Sequence, residues 1–129
     1  MNPGRAQTAR SLFLIRVAMA VGVAMFLVVS YVISALGRPP AASPSAVRTL
    51  TTAMYTAVGI AAAIIMGLRL RIDAAAPDMR RSLTVVSWAI GEFAALFGGV
   101  VLLLSGDWSA ALPGALVFAL ALAAMRIPE

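Results

Sequence analysis

Leu83-Thr-Val-Val-Ser-Trp-Ala-Ile-Gly-Glu92-Phe-Ala-Ala-Leu-Phe-Gly-Gly-Val-Val-Leu-Leu-Leu104 decides the fold. At 1.5 Å per residue this run is long enough to cross the roughly 30 Å hydrocarbon layer of a bilayer. It contains one charge, Glu92, near its middle. A carboxyl group at that depth is costly, so it is expected to be hydrogen-bonded, ion-paired or functional.

The rest of the chain has the same character. Its 129 residues are 62% hydrophobic and 12% charged, with mean hydropathy +0.98. Soluble domains carry roughly 25% charged residues. A small water-soluble domain leaves most of its residues facing solvent and cannot hide so large an apolar excess.

Four segments read as membrane spans. They run from about Leu12 to Leu36, Arg48 to Leu68, Ser82 to Leu104 and Ser109 to Met125. The first is longer than the 7–15 residues typical of a signal-peptide core, so a retained helix is expected. It stops at Gly37-Arg38-Pro39-Pro40, which cannot continue a helix. A short Pro/Ser linker, 41–46, follows, and Ser45 or Thr49 is the expected cap of the second helix. The segment 69–81 reads as a polar loop, with Asp78 as a capping residue after Pro77. Ser105-Gly106-Asp107-Trp108 reads as a tight turn. Pro113 falls in the first turn of the last helix, where proline is tolerated.

Arginine placement sets the orientation. Arg5, Arg10, Arg16, Arg69, Arg71, Arg80, Arg81 and Arg126 fall on one side of four spans; Arg38 and Arg48 fall on the other. The expected fold is therefore all-α: a polytopic membrane protein with four transmembrane helices in an antiparallel bundle, both termini cytoplasmic, forming a single domain over 1–129. The cytoplasmic loop is 69–81, and Trp108 sits at the opposite interface. The bacterial inner membrane is the expected location. The net charge of +5 is explained by these flanking arginines rather than by nucleic-acid binding.

Small residues mark the expected helix contacts, because lipid gives apolar helices no reason to associate except close packing. The third span has Ser87, Gly91, Ala95 and Gly99 at four-residue spacing. The second has Gly59, Ala63 and Gly67, and the first has Ala18 and Gly22. Trp88, Glu92, Ala95 and Gly99 share a helical face, which turns the carboxyl toward a packed interface. Its expected hydrogen-bond partners are Thr51, Thr52, Tyr55, Thr56 or Ser30. Arg16 is the candidate counter-charge. It lies roughly 8 Å nearer the cytoplasmic side, however, and snorkelling to the interface competes with the pair.

The stretch from Glu92-Phe-Ala-Ala-Leu-Phe-Gly-Gly to Leu104 resembles the carboxylate helix of rotary ATP synthase proteolipid (c) subunits. The likeness extends over about residues 51–104: an Ala/Gly-rich helix, then a loop with Arg69, Arg71 and Pro77, then the carboxylate helix. It implies that Glu92 carries a proton. The sequence departs from that family in lacking its dense alternating glycines and in having extra helices before and after the hairpin. Over the full length, the chain resembles a group of small uncharacterised bacterial four-helix membrane proteins. That likeness rests on Leu12-x-x-Ile-Arg-x-Ala-x-x-x-Gly-x-x-x-Phe26 and on Leu-Leu-Ser-Gly-Asp-Trp108. It implies the fold and no activity.

Enzymatic chemistry has little to work with. The chain has no His and no Cys, and it shows no Ser-His-Asp set, no paired carboxylates on one span and no phosphate loop. Asp73 and Asp78 read as solvated loop charges among four arginines, which also face anionic headgroups. No cofactor and no metal are expected. The leading expectation is a small non-enzymatic membrane protein, with the lipid bilayer, other membrane subunits or a second copy of itself as partners. The alternative is a proton- or ion-translocating protein built on Glu92.

Overall fold

In a computed structural model, residues 3–37 and 42–125 are described, and among them there is no strand. The helices are α1 (Pro3–Ala35), α2 (Pro44–Ile72), α3 (Pro77–Ser105) and α4 (Leu112–Ala124), the last preceded by a 3₁₀ turn, Trp108–Ala111. The expectations placed on Arg38, Pro39, Pro40, Ala41 and Arg126 lie outside the described residues.

Three helices, α1, α2 and α3, are long and apolar enough to cross a membrane. The 3₁₀ turn and α4 together make a shorter apolar segment, Trp108–Ala124. Each long helix extends beyond its apolar window. The expected polar loop 69–81 contracts to residues 73–76, because Arg69 and Arg71 complete the last turn of α2 and Arg80 and Arg81 belong to the start of α3. Arg80 secures this short connection. Its Nε donates to the Ala75 carbonyl at 2.8 Å and its Nη2 to the Asp73 carbonyl at 2.9 Å. Backbone acceptors left over at the connection are thus satisfied by a side chain.

Helix ends follow local rules, with two corrections. Ser43, rather than Ser45 or Thr49, caps α2: its Oγ accepts from the Ala46 N–H at 3.3 Å. Pro44 occupies the first helical position, so the cap must be the residue before it. Thr49 instead donates to the Ser45 carbonyl within the helix. Asp78 does not cap α3. Pro77 is its first residue, the cap position is Ala76 with no side-chain bond, and Asp78 lies in the first turn. There its charge complements the positive end of the helix dipole. The turn after α3 forms as expected. Gly106 adopts φ 74°, and its N–H donates to the Leu102 carbonyl at 2.8 Å, a left-handed cap that favours glycine.

α3 is the central helix and packs against α1, α2 and α4. α2 presents large side chains to the core: Met54, Val58, Ala61, Ile65 and Ile72 are buried. α3 buries Trp88 fully and carries small residues, Gly91, Ala94, Ala95, Gly98 and Gly99, where it meets α1, the 3₁₀ turn and α4. α4 adds Val117, Phe118 and Ala121. The contacts between α3 and α4 run in opposite directions along the two helices. Gly91 meets Phe118 and Ala121, while Ala94 and Ala95 meet Gly114.

The small-residue stripe of α2 does not pack within the chain. A Cβ placed on Gly59 or Gly67 would meet no neighbouring atom within 4 Å, and Ala63 is exposed. These positions lie about half a turn around the helix from Met54, Val58 and Ile65, which α3 covers. Gly22 of α1 is likewise open.

Candidate functional site

Glu92 lies midway along α3, between the buried Gly91 and the exposed Phe93. Trp88, Ala95 and Gly99 on its helical face are all buried, and Glu92 itself is half-buried at the margin of that face. It borders the side of α3 that meets α1. The ring of Phe26 and the side chain of Leu27 fill the space where Gly99 has no Cβ.

Four-residue spacing explains how the stripe Ser87, Gly91, Ala95, Gly99 is used. Each step turns about 40° around the helix, so the stripe winds rather than facing one neighbour. Ser87 is buried and donates back to the Leu83 carbonyl at 2.8 Å. A Cβ on Gly91 would stand 3.0 Å from the Ala121 Cβ, so Gly91 serves α4. Ala95 lies under Gly114 of α4, and Gly99 serves α1.

Among the described residues, no hydrogen bond or ion pair reaches the Glu92 carboxyl; the one ion pair joins Arg69 to Asp73, exposed and four residues apart at the end of α2, at 3.2 Å. None of the expected hydroxyl partners bonds to the Glu92 carboxyl. Thr52 donates to the Arg48 carbonyl and Thr56 to the Thr52 carbonyl. Tyr55 is exposed, and the Ser30 Oγ is buried without a partner. Hydroxyls on an apolar helix satisfy themselves most easily on the carbonyl one turn back, and that bond competes with any cross-helix partner.

Arg16 is also committed. Its Nη2 donates to the Leu122 carbonyl at 2.9 Å. Leu122 is in the last turn of α4, where carbonyls lack helical donors and the dipole is negative. The contacts Phe26 and Leu27 on Gly99, and Ser34 Oγ on the Gly106 carbonyl at 3.1 Å, set the register of α1 on α3. That register puts Arg16 level with Trp88, about one helical turn (~5 Å) from Glu92. The guanidinium meets a helix end before it meets the carboxyl.

Trp88 is the residue that the sequence reading undervalued. It is fully buried at the level of Arg16, and its Nε1–H has no acceptor. Its position in a window with a single charge was the available signal, since a large aromatic amid glycines and alanines fills the gap those residues leave. The chain was compared with family models, curated proteins and solved structures, and none matches.

Proposed function

We propose that this chain is a small non-enzymatic integral protein of the bacterial inner membrane, an antiparallel bundle of four spans with both termini cytoplasmic, serving as an accessory subunit of a membrane complex. One observation carries the reading. α1 is coated with exposed apolar side chains, among them Phe13, Leu14, Val21, Met25, Val28 and Val32, and only 11% of its apolar window is buried. Water would penalise that surface heavily; lipid or neighbouring subunits would not.

The short fourth segment is compatible with a span. A 3₁₀ turn rises about 2 Å per residue, so Trp108–Ala124 reaches about 27 Å, close to the roughly 30 Å hydrocarbon layer. The half-exposed Trp108 then stands at the interface. The register of α1 on α3 supports the orientation, because it brings Arg5, Arg10, Arg80 and Arg81 to one end.

Cysteine labelling tests this directly, since the chain has no cysteine of its own. Gln7→Cys and Ala74→Cys should react with a membrane-impermeant maleimide only after the cells are opened. Ser109→Cys should react in intact cells. Labelling of Gln7→Cys and Ser109→Cys from the same side would end the four-span reading. Co-purification from mild detergent examines the accessory role, and a lone monomer counts against it.

A second reading rests on Glu92, a half-buried carboxyl without a partner inside an apolar window. In that reading it takes up and releases a proton. Dicyclohexylcarbodiimide should then modify Glu92 in membranes, and Glu92→Gln should abolish both labelling and proton flux. An unreactive Glu92 with unchanged flux eliminates this reading.

A further inference from the structure

An open groove of about 640 Å³ lies between α1 and the first turns of α3, lined by Ile15, Asp78, Arg81, Ser82, Val85 and Val86. Its lining is graded. Asp78, Arg81 and Ser82 form one end; Ile15, Val85 and Val86 form the other. The distance from Asp78 to Val86 along α3 is about 12 Å. At the cytoplasmic end of a spanning helix, such a gradient coincides with the passage from headgroup to acyl chain.

The polar end holds one charge of each sign. Asp78 and Arg81 are three residues apart, a spacing at which opposite charges on a helix usually meet. Here they do not: among the described residues neither side chain has a hydrogen bond or an ion pair. Ser82 donates only a long 3.4 Å bond to the Asp78 carbonyl. The groove mouth thus offers a separated donor fork and an acceptor carboxylate.

We propose that this groove binds a zwitterionic phospholipid with a primary-amine headgroup, phosphatidylethanolamine. The phosphate takes Arg81, whose guanidinium suits phosphate oxygens. The ammonium donates to the Asp78 carboxylate. The upper acyl chain lies along Ile15, Val85 and Val86. A choline headgroup has the same charges but no N–H to donate, and a glycerol headgroup leaves Asp78 facing an anion. The proposal rests on the spanning orientation, which puts the start of α3 at headgroup depth.

The test reconstitutes the full chain in vesicles of equimolar phosphatidylethanolamine, phosphatidylcholine and phosphatidylglycerol, extracts it gently and weighs retained lipid by native mass spectrometry. Retention of the ethanolamine lipid about fivefold above each of the others is expected, the size of one interfacial charge contact. Asp78→Ala, which removes the acceptor, should erase the preference over choline and raise the glycerol lipid. Arg81→Gln should cut retention of every lipid about fivefold, while Arg5→Gln changes nothing. Equal retention of ethanolamine and choline lipids by the unaltered chain overturns the proposal without needing any variant. So does dominance of the glycerol lipid, an Asp78→Ala protein that keeps the ethanolamine preference, or a lipid-free dimer. Ala74→Cys labelling on the same samples separates a failed groove from a failed orientation.

Discussion

Gly114 of α4 lies directly on the Ala94 carbonyl of α3, with no room between them for a Cβ. Backbone-to-backbone approach of this kind supplies the packing that joins helices in lipid. Gly114→Ala should therefore lower stability by about 1–3 kcal/mol, the usual range for overpacking. Gly59→Ala faces open space and should be neutral or slightly stabilising, by up to about 1 kcal/mol, because glycine weakens a helix interior. Thermal unfolding in detergent compares the two; equal melting temperatures would show that α4 is not seated on α3 in this way.

The bond from Arg16 to the Leu122 carbonyl ties α1 to the end of α4. Arg16→Gln should cost about 1–2 kcal/mol, a charge-assisted bond discounted for a membrane setting. Hydrogen exchange should then accelerate around residues 119–125 and stay unchanged in α2. If exchange is unaltered, the arginine is held elsewhere.

Glu92 has no intramolecular partner to lose. Glu92→Gln should leave the melting temperature unchanged or raise it, since a carboxylate half-buried among apolar groups contributes no compensating bond. A fall equivalent to about 2 kcal/mol or more would reveal a partner and move Glu92 into the structural category.

Trp88 fills the core with an unpaired N–H, so its two contributions can be separated. Trp88→Ala should cost about 3–5 kcal/mol through lost volume. Trp88→Phe should cost far less, because it keeps a ring and removes an unsatisfied donor. Fluorescence provides a second measure. With Trp108→Phe, emission from Trp88 should be blue-shifted and resistant to aqueous acrylamide; with Trp88→Phe, Trp108 should be readily quenched.

The long helices were legible because each depends on its own residues. Apolar runs of about twenty residues, ended by Gly37 or by Gly106, carry their boundaries locally. The charged ends were less legible. Arg69 to Arg81 reads as a loop by polarity, yet helix continues through most of it, because Arg80 folds back onto the turn carbonyls and Pro77 positions the start of α3. The candidate site was legible as a residue and not as a set. Glu92 declares itself by being a charge where charges are rare, but neither Arg16 nor any of the hydroxyls proposed for it reaches it.

By itself, the sequence determined that this chain is helical and that at least three of its helices are apolar enough for a bilayer, because hydropathy and helix ends are properties of contiguous residues. Only the tertiary structure decided which small residues are used. Gly91, Gly98, Gly99 and Gly114 sit at crossings, whereas Gly59 and Gly67 face outward. It also decided that Arg16 serves the end of α4. Spacing places residues on a face of a helix; which neighbour that face meets, and at what height, depends on how the helices are stacked against one another.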